Sequence, residues 1–323
     1  MRAETRAVVD QPLCMVSQLP RSGGTLLIHL FDGHPSCHVV PHEFGGALLR
    51  AELSAEDSPE QTWEKLRLKR IEGFFRKGYS VTQRQNADSR RDRVPLLVAT
   101  SLQKEIFLES YPEEFSVRAV IDAYFTSYFN AWIDNQNLYT PTPKKWVVCF
   151  EPRAIFSSKF RDCFDRIYPD GRVISVVREP ASWYVSARNW SLDWHGVAPA
   201  MHEYTEKIQE LLRIKEEWGE RLAIVEFKDL VQQPADTMRG LHAWLGVPTP
   251  AEPPVPTVNG LPIGANSSFK IKDKGVVRDP LKRGRNHLAK AEQRQIEKLS
   301  GDLMQRVAER ALRPATNTSK KKK

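Results

Sequence analysis

One short segment near the start of the chain constrains the fold more than any other. Residues 18–27 read Gln-Leu-Pro-Arg-Ser-Gly-Gly-Thr-Leu-Leu, between an apolar run at 12–16 and a helix-periodic run at 26–31. This order is typical of a strand, a tight glycine turn and a helix. The first N–H groups of such a helix, with the positive end of its dipole, form a binding site for an anion. Arg21 adds a forked cationic donor, so the segment predicts a site for a phosphate-like group.

The segment differs from the two commonest glycine-rich nucleotide loops. A kinase-type P-loop needs a lysine after its last glycine, and none is present here. The dinucleotide pattern Gly-x-Gly-x-x-Gly is also absent. An ordinary turn, in which Gly23 and Gly24 only permit a positive φ, is the alternative. Such a turn needs neither Arg21 nor the hydroxyls of Ser22 and Thr25, so anion binding is favoured.

Size and charge narrow the classes of protein. With 323 residues, 41% of them hydrophobic, the chain can form one large α/β domain. Its net charge of +8 suits anionic ligands but is too evenly spread to indicate nucleic acid. The four cysteines lack Cys-x-x-Cys spacing, and three of them lie in or beside apolar segments and are interpreted as reduced core residues. No run approaches the ~20 apolar residues of a membrane span, and we expect a cytoplasmic protein.

A second anion site is predicted where another strand ends. Apolar segments alternate with helical ones, which predicts a parallel sheet with helices on both faces, and such sheets bind ligands at the carboxyl ends of their strands. The apolar run 172–177 ends at Arg178, and Pro180 begins a helix that carries Ser186 in its first two turns. A salt bridge for Arg178 and a surface position for Ser186 are the alternatives. Their combination with the first loop favours a second phosphate site.

These two segments resemble the 5′-phosphosulfate loop and the 3′-phosphate motif of sulfotransferases, which use 3′-phosphoadenosine 5′-phosphosulfate (PAPS). The resemblance covers most of residues 12–312. It implies an α/β fold of the P-loop-NTPase-like type, with three α/β/α layers and a central parallel sheet. The implied organisation is an N-terminal extension (1–11), one sulfotransferase domain (12–312) with a helical acceptor-side insertion (50–145), and a disordered basic tail (313–323). PAPS is the implied co-substrate, and no metal is expected.

The resemblance also assigns donor-binding residues. The 5′ end of PAPS would lie against Arg21, Ser22, Gly23, Gly24, Thr25 and Leu26. The 3′-phosphate would lie against Arg178 and Ser186. A closing C-terminal loop would contribute Arg283 and Arg285.

Transfer of a sulfuryl group to a hydroxyl needs a proton acceptor, for which Glu43 is the candidate. In the string Pro-His-Glu-Phe it resembles the catalytic glutamate of carbohydrate and tyrosylprotein sulfotransferases, within one residue of alignment. His42 is therefore the alternative, and its ordinary pKa suits a base near neutrality. Arg21 would offset charge on the leaving group. The cytosolic aryl and steroid enzymes have Lys-Thr-His where this chain has Glu151-Pro152-Arg153, which argues against that subfamily and makes Arg153 a candidate second cation.

The expected reaction is in-line transfer of the sulfuryl group of PAPS to an acceptor hydroxyl of a carbohydrate, glycolipid or small metabolite. Residues 65–93 contain ten Lys or Arg against three Asp or Glu. This composition fits an anionic acceptor and a solvated helix face equally well. A nucleotide-dependent phosphotransferase and a non-catalytic nucleotide-binding protein are the alternative functions. Nucleic acid is not an expected partner.

Overall fold

The computed structural model describes residues 6–44, 48–80, 93–264, 275–276 and 286–315. Its strands are β1 (Leu13–Val16), β2 (Cys37–Glu43), β3 (Tyr79–Ser80), β4 (Arg93–Val94), β5 (Trp146–Phe150), β6 (Arg172–Val177), β7 (Leu222–Glu226), β8 (Thr257–Val258) and β9 (Leu261–Pro262). Its α-helices are α1 (Gly24–Phe31), α2 (Pro59–Leu66), α3 (Lys69–Lys77), α4 (Thr100–Glu109), α5 (Val117–Ala131), α6 (Ser158–Ile167), α7 (Pro180–Ala187), α8 (Val197–Trp218), α9 (Phe227–Gln232), α10 (Pro234–Leu245), α11 (Lys290–Ser300) and α12 (Leu303–Arg310).

Five parallel strands form the central sheet, in the order β2-β5-β1-β6-β7. Side chains alternate between the two faces of a strand, and β1 divides the core accordingly. Leu13 and Met15 pack in one hydrophobic cluster with α4 to α8, whereas Cys14 and Val16 pack in another with α1, α9 and α10. Both faces are therefore covered by helices, as parallel sheets require. The predicted three-layer α/β/α fold with a central parallel sheet is confirmed.

The insertion between β2 and β5 contributes the helices α2 to α5. The longest of these helices, α5, carries an aromatic stripe, and its members Tyr124, Phe125, Tyr128 and Phe129 are all buried in the core. The described part of the N-terminal segment lies against the same helix, since the N–H of Val9 donates to Oγ1 of Thr126 over 2.9 Å. Within the described residues, no helix combines the length and apolar character needed to cross a bilayer.

The positions of the strand ends determine where a ligand site can form. Because the five strands are parallel, the carboxyl ends of β1, β2, β5 and β6 meet at one edge of the sheet. The predicted anion loop follows β1, and Arg178 follows β6, the neighbouring strand. Glu43 ends β2, next to Glu151 after β5. The fold thus gathers residues that lie more than 130 positions apart in the sequence.

Candidate active site

The loop after β1 turns tightly into α1. Gly23 is the N-cap of this helix and has φ 112°, a value that L side chains rarely adopt. A Cβ at Gly23 would also lie 2.5 Å from Cδ2 of Phe227, and a Cβ at Gly24 would collide with the Gln18 side chain. Because these two residues are glycines, Phe227 and the Gln18 side chain can pack directly against the backbone of the loop. A glycine N-cap has no side chain to accept from the helix, so a bound anion is a natural acceptor for its first N–H groups.

Three residues of the two predicted anion sites meet beside this loop. Nε of Arg21 donates to Oγ of Ser186 over 3.3 Å, and Nη1 of Arg178 donates to the carbonyl oxygen of Arg21 over 3.3 Å. Arg21 itself has φ 70°, which is unusual for a residue with a side chain. Arg21 of the glycine loop, through its side chain and its carbonyl group, is therefore joined to Ser186 and Arg178. Together these residues form one cationic, hydrogen-bonding site.

The environment of the two guanidinium groups favours a bound anion. Arg178 is only 7% exposed, and its guanidinium lies 4.7 Å from the ring centroid of Phe227. Burial lowers the pKa of Arg21 to about 10, so the group stays charged at neutral pH but its charge is less stable than in water. An anion beside these groups compensates for their lost hydration. Oγ of Ser22 is buried and, within the described residues, has no hydrogen-bond partner.

Three further residues support the site, although none of them was predicted as a site residue. Nε of Arg178 donates to Oγ of Ser182 over 2.8 Å, while the Tyr204 hydroxyl donates to the Arg178 carbonyl over 2.6 Å. Nε1 of Trp183 donates to the carbonyl oxygen of Pro20 over 2.8 Å and so joins α7 to the loop. Of these, Ser182 and Trp183 lie inside the predicted motif, whereas Tyr204 is distant in sequence and gives no local signal.

Glu43 lies at the end of β2 with its side chain partly exposed. Burial and repulsion from Glu151 raise the pKa of Glu43, and the positive charge of Arg70 on α3 opposes this effect. A carboxylate with a raised pKa is a stronger base. The position and electrostatics of Glu43 therefore suit a proton acceptor at the edge of the sheet.

His42 is placed differently from Glu43. Its side chain is 1% exposed, Nδ1 bonds the carbonyl oxygen of Glu43 over 2.9 Å, and Nε2 lies 3.0 Å from the hydroxyl of Tyr128. Burial lowers the pKa of His42 to about 3. Both ring nitrogens are occupied within the protein, which favours Glu43 over His42 as the candidate base.

Three other predicted residues, Arg153, Arg283 and Arg285, are not placed in the site by the described structure. The N–H of Arg153 donates to the carbonyl oxygen of Gln18 over 3.0 Å, but its guanidinium contacts Glu203 over 3.2 Å and lies over the Trp194 ring. Its role as a second cation stays a prediction. Arg283 and Arg285 lie outside the described residues. Among the residues that are described, no group of three or more His, Cys, Asp or Glu is arranged to hold a metal ion.

A family model described as "Sulfotransferase family" matches residues 12–251. No curated protein sequence matches the chain.

Among solved structures, the chain is similar to the sulfotransferase domain from the curacin biosynthetic pathway, with 18% identity, coverage of 91% of this chain and 98% of that one, and a TM-score of 0.54. It is also similar to the sulfotransferase domain of the Synechococcus PCC 7002 olefin synthase, with 13% identity, coverage of 91% and 96%, and a TM-score of 0.53. At these identities the likeness concerns the fold.

Proposed function

The chain belongs to the sulfotransferase family, and from that premise we propose that it transfers the sulfuryl group of PAPS to a hydroxyl group of an acceptor molecule. The observation that carries this proposal is the convergence of Arg21, Arg178 and Ser186 beside the glycine loop. Such a surface suits a donor that carries negative charge at two ends.

The residues present fit PAPS in charge and in hydrogen-bonding capacity. The backbone N–H groups at the start of α1, with Arg21, would hold the 5′-phosphosulfate. Arg178 and Ser186 would bind the 3′-phosphate. The hydroxyl of Ser22, for which the described part of the chain supplies no partner, offers one more donor. Guanidinium groups bind such oxyanions through paired N–H donors. Arg283 and Arg285 remain proposed members of the same site.

In the proposed reaction the acceptor oxygen attacks the sulfur atom in line with the bond to the 5′-phosphate. That S–O bond breaks, and its electron pair stays on the phosphate oxygen of adenosine 3′,5′-bisphosphate. Glu43 takes the acceptor proton, and Arg21 stabilises the charge that develops on the leaving phosphate. As in phosphoryl transfer, positioning and charge stabilisation supply most of the rate enhancement.

Helix α3 supports an acceptor that carries negative charge. It packs beside β2, since the Phe74 ring lies 5.3 Å from the ring of His42, and its Arg70 acts electrostatically on Glu43, the proposed base. Its exposed residues include a large apolar side chain, Phe75, at 43% exposure, and the four cations Lys69, Arg70, Arg76 and Lys77. Among carbohydrate, glycolipid and small-metabolite acceptors, the exposed positive charge of this helix favours anionic molecules.

The decisive assay incubates the purified protein with PAPS and a panel of sugar, lipid and phenol hydroxyls, and measures release of adenosine 3′,5′-bisphosphate by chromatography. Acceptor-dependent release is expected, with a preference for anionic acceptors. Glu43→Gln should abolish turnover without changing the Kd for the bisphosphate, because it removes the base but no donor contact. Mg²⁺-dependent ATP turnover would instead indicate a phosphotransferase. Bisphosphate binding with no transfer to any acceptor would indicate a binding protein.

A further inference from the structure

The strand that carries Glu43 does not end regularly. Val39 pairs with Val148 and Glu43 pairs with Phe150, so β2 advances four residues where β5 advances two. The β2 bulge, residues 40–42, contains Pro41, which has no N–H to donate to the ladder. Bulges commonly re-aim a side chain beside an active site, but they leave backbone groups without their usual partners.

Two buried histidines bond backbone carbonyl groups at this bulge. Nε2 of His29, on α1, lies 3.1 Å from the carbonyl oxygen of Pro41, and Nδ1 of His42 lies 2.9 Å from the carbonyl oxygen of Glu43. A carbonyl oxygen only accepts, so each of these ring nitrogens carries the hydrogen. Both side chains are 1% exposed, so water does not compete for these bonds.

The other ring nitrogen of His42, Nε2, also takes part in a hydrogen bond. Since Nδ1 carries the hydrogen, the neutral ring accepts at Nε2 from the hydroxyl of Tyr128, 3.0 Å away on α5. Burial lowers the pKa of His29 to about 4 and that of His42 to about 3, so both rings are neutral at pH 7. Each ring then has a single N–H, and its direction is fixed by the carbonyl group that it bonds.

We propose that His29 and His42 are positioning residues that fix Glu43 relative to the phosphosulfate loop. The reason is connectivity: α1 begins at the glycine loop and carries His29 in its last turn. The His29–Pro41 bond therefore joins the phosphate-binding helix to the strand that carries the base, and the His42–Glu43 bond fixes the base's own backbone. This inference rests on the proposed role of Glu43.

His38 provides a matched control on the same strand. It is 2% exposed, and burial lowers its pKa to about 3, much as for His42. Its ring contacts Phe129, with centroids 4.8 Å apart, and within the described ranges it makes no hydrogen bond to the bulge. Replacing His38 therefore removes a buried neutral histidine without removing a bond that positions Glu43.

The test compares donor-removing variants with donor-conserving ones. His29→Leu and His42→Leu should lower kcat by about 10–100-fold, because misplacing a catalytic group by about 1 Å costs on this order. The Kd for adenosine 3′,5′-bisphosphate should change by less than about twofold, since no donor contact is lost. His29→Gln and His42→Asn keep an N–H at the bonding position and should recover most of kcat. His38→Leu should keep the wild-type kcat.

A pH profile separates positioning from a general loss of stability. Burial and Glu151 raise the pKa of Glu43, whereas Arg70 opposes them. A released Glu43 becomes better solvated, so its pKa falls and the acid limb of kcat moves to lower pH. We expect this shift in His29→Leu and His42→Leu and its absence in His38→Leu.

Two less disruptive substitutions test the same inference if the leucine variants do not fold. Tyr128→Phe removes only the hydroxyl that holds His42 and should lower kcat by about threefold to tenfold. Tyr168→Phe is the control, because its hydroxyl is equally buried but bonds Asp122 over 2.9 Å, away from the bulge. It should lower Tm and leave kcat unchanged.

Failure of this inference is distinguishable from failure of the proposed function. If Glu43→Gln retains turnover, the assignment of the base is wrong, whatever the histidine variants do. If Glu43→Gln is inactive but the leucine variants keep the wild-type kcat and acid limb, the positioning role alone is overturned. Equal losses of kcat in Tyr128→Phe and Tyr168→Phe would overturn it as well.

Discussion

At the scale of single residues, the site depends most on Arg178. Its guanidinium is buried against Phe227, and its backbone is held by the hydroxyl of Tyr204. The Ser182 hydroxyl accepts from its Nε and so fixes the orientation of the planar group. A lysine has the same charge but cannot reproduce this forked geometry. Shape as well as charge should therefore determine how tightly the nucleotide binds.

We predict that Arg178→Ala raises the Kd for adenosine 3′,5′-bisphosphate by about 10–100-fold, because it removes charge-assisted hydrogen bonds worth about 1.5–3 kcal/mol. Arg178→Lys should recover only part of this loss. Isothermal titration calorimetry measures both values. Arg213→Ala is the control, since Arg213 is exposed on α8 and pairs with Glu217. Unchanged affinity in Arg178→Ala would contradict the assignment.

A site residue could be predicted from the sequence when the residues that it contacts lie close to it along the chain. Arg178 and Ser186 belong to one strand–helix step, so their spacing alone indicates a shared site. The bond from Tyr204 to Arg178 joins separate elements, and no local pattern encodes it. His42 illustrates a different limit: its residue type suits a base, but only the fold shows that both ring nitrogens are occupied.

At the scale of elements, the glycine loop is determined by packing as much as by backbone conformation. Gly23 combines a positive φ with a contact to the Phe227 ring that leaves no room for a Cβ. Phe227 in turn lies against the guanidinium of Arg178. A side chain at Gly23 would therefore disturb the loop and the second anion-binding residue together.

We predict that Gly23→Ala lowers the free energy of unfolding by about 2–4 kcal/mol, combining positive-φ strain with overpacking. Gly33→Ala is the matched control, because Gly33 has φ 74° but nothing within 4 Å of an added Cβ. It should cost about 1 kcal/mol, from strain alone. Denaturant unfolding measures both. An equal loss of unfolding free energy in both variants would mean that the Phe227 ring moves aside without destabilising the protein.

Element boundaries were predicted less well than element types. The sequence predicts a short second strand over 38–40, but the strand extends over Cys37–Glu43, because the bulge continues its pairing past Pro41. The sequence also predicts a single helix over 59–76, whereas the structure has two helices there, separated at residues 67–68. The amphipathic pattern over 287–312 likewise predicts one helix, whereas the structure has two, separated at Gly301 with φ 50°. A glycine at this position is a known C-terminal signal, whereas the bulge and the break at 67–68 depend on tertiary packing.

At the scale of the whole molecule, the fold buries several histidines in their neutral form. Burial lowers the pKa of His29 and of His242 to about 4 and that of His38 and of His42 to about 3. In the unfolded chain a histidine has a pKa of about 6.5. Between these values the unfolded state binds more protons than the folded state, so the free energy of unfolding falls as the pH falls.

We predict that the free energy of unfolding falls steeply between pH 7 and pH 5, by roughly 2 kcal/mol for each of the four histidines. Asp122 acts in the opposite direction, because burial raises its pKa to about 6 and the folded state then gains a proton in the same range. One such group offsets only part of the effect of four histidines. Urea unfolding at a series of pH values measures the slope.

A variant pair assigns this slope to buried histidines. His38→Leu removes one of them and should reduce the loss between pH 7 and pH 5 by roughly 2 kcal/mol. His195→Leu, at an exposed position, should leave the loss unchanged. His38→Leu keeps the bonds that hold Glu43, so its kcat at pH 7 should equal that of the wild type while its stability varies less with pH. Equal slopes in the two variants would mean that carboxylates, rather than histidines, cause the acid sensitivity.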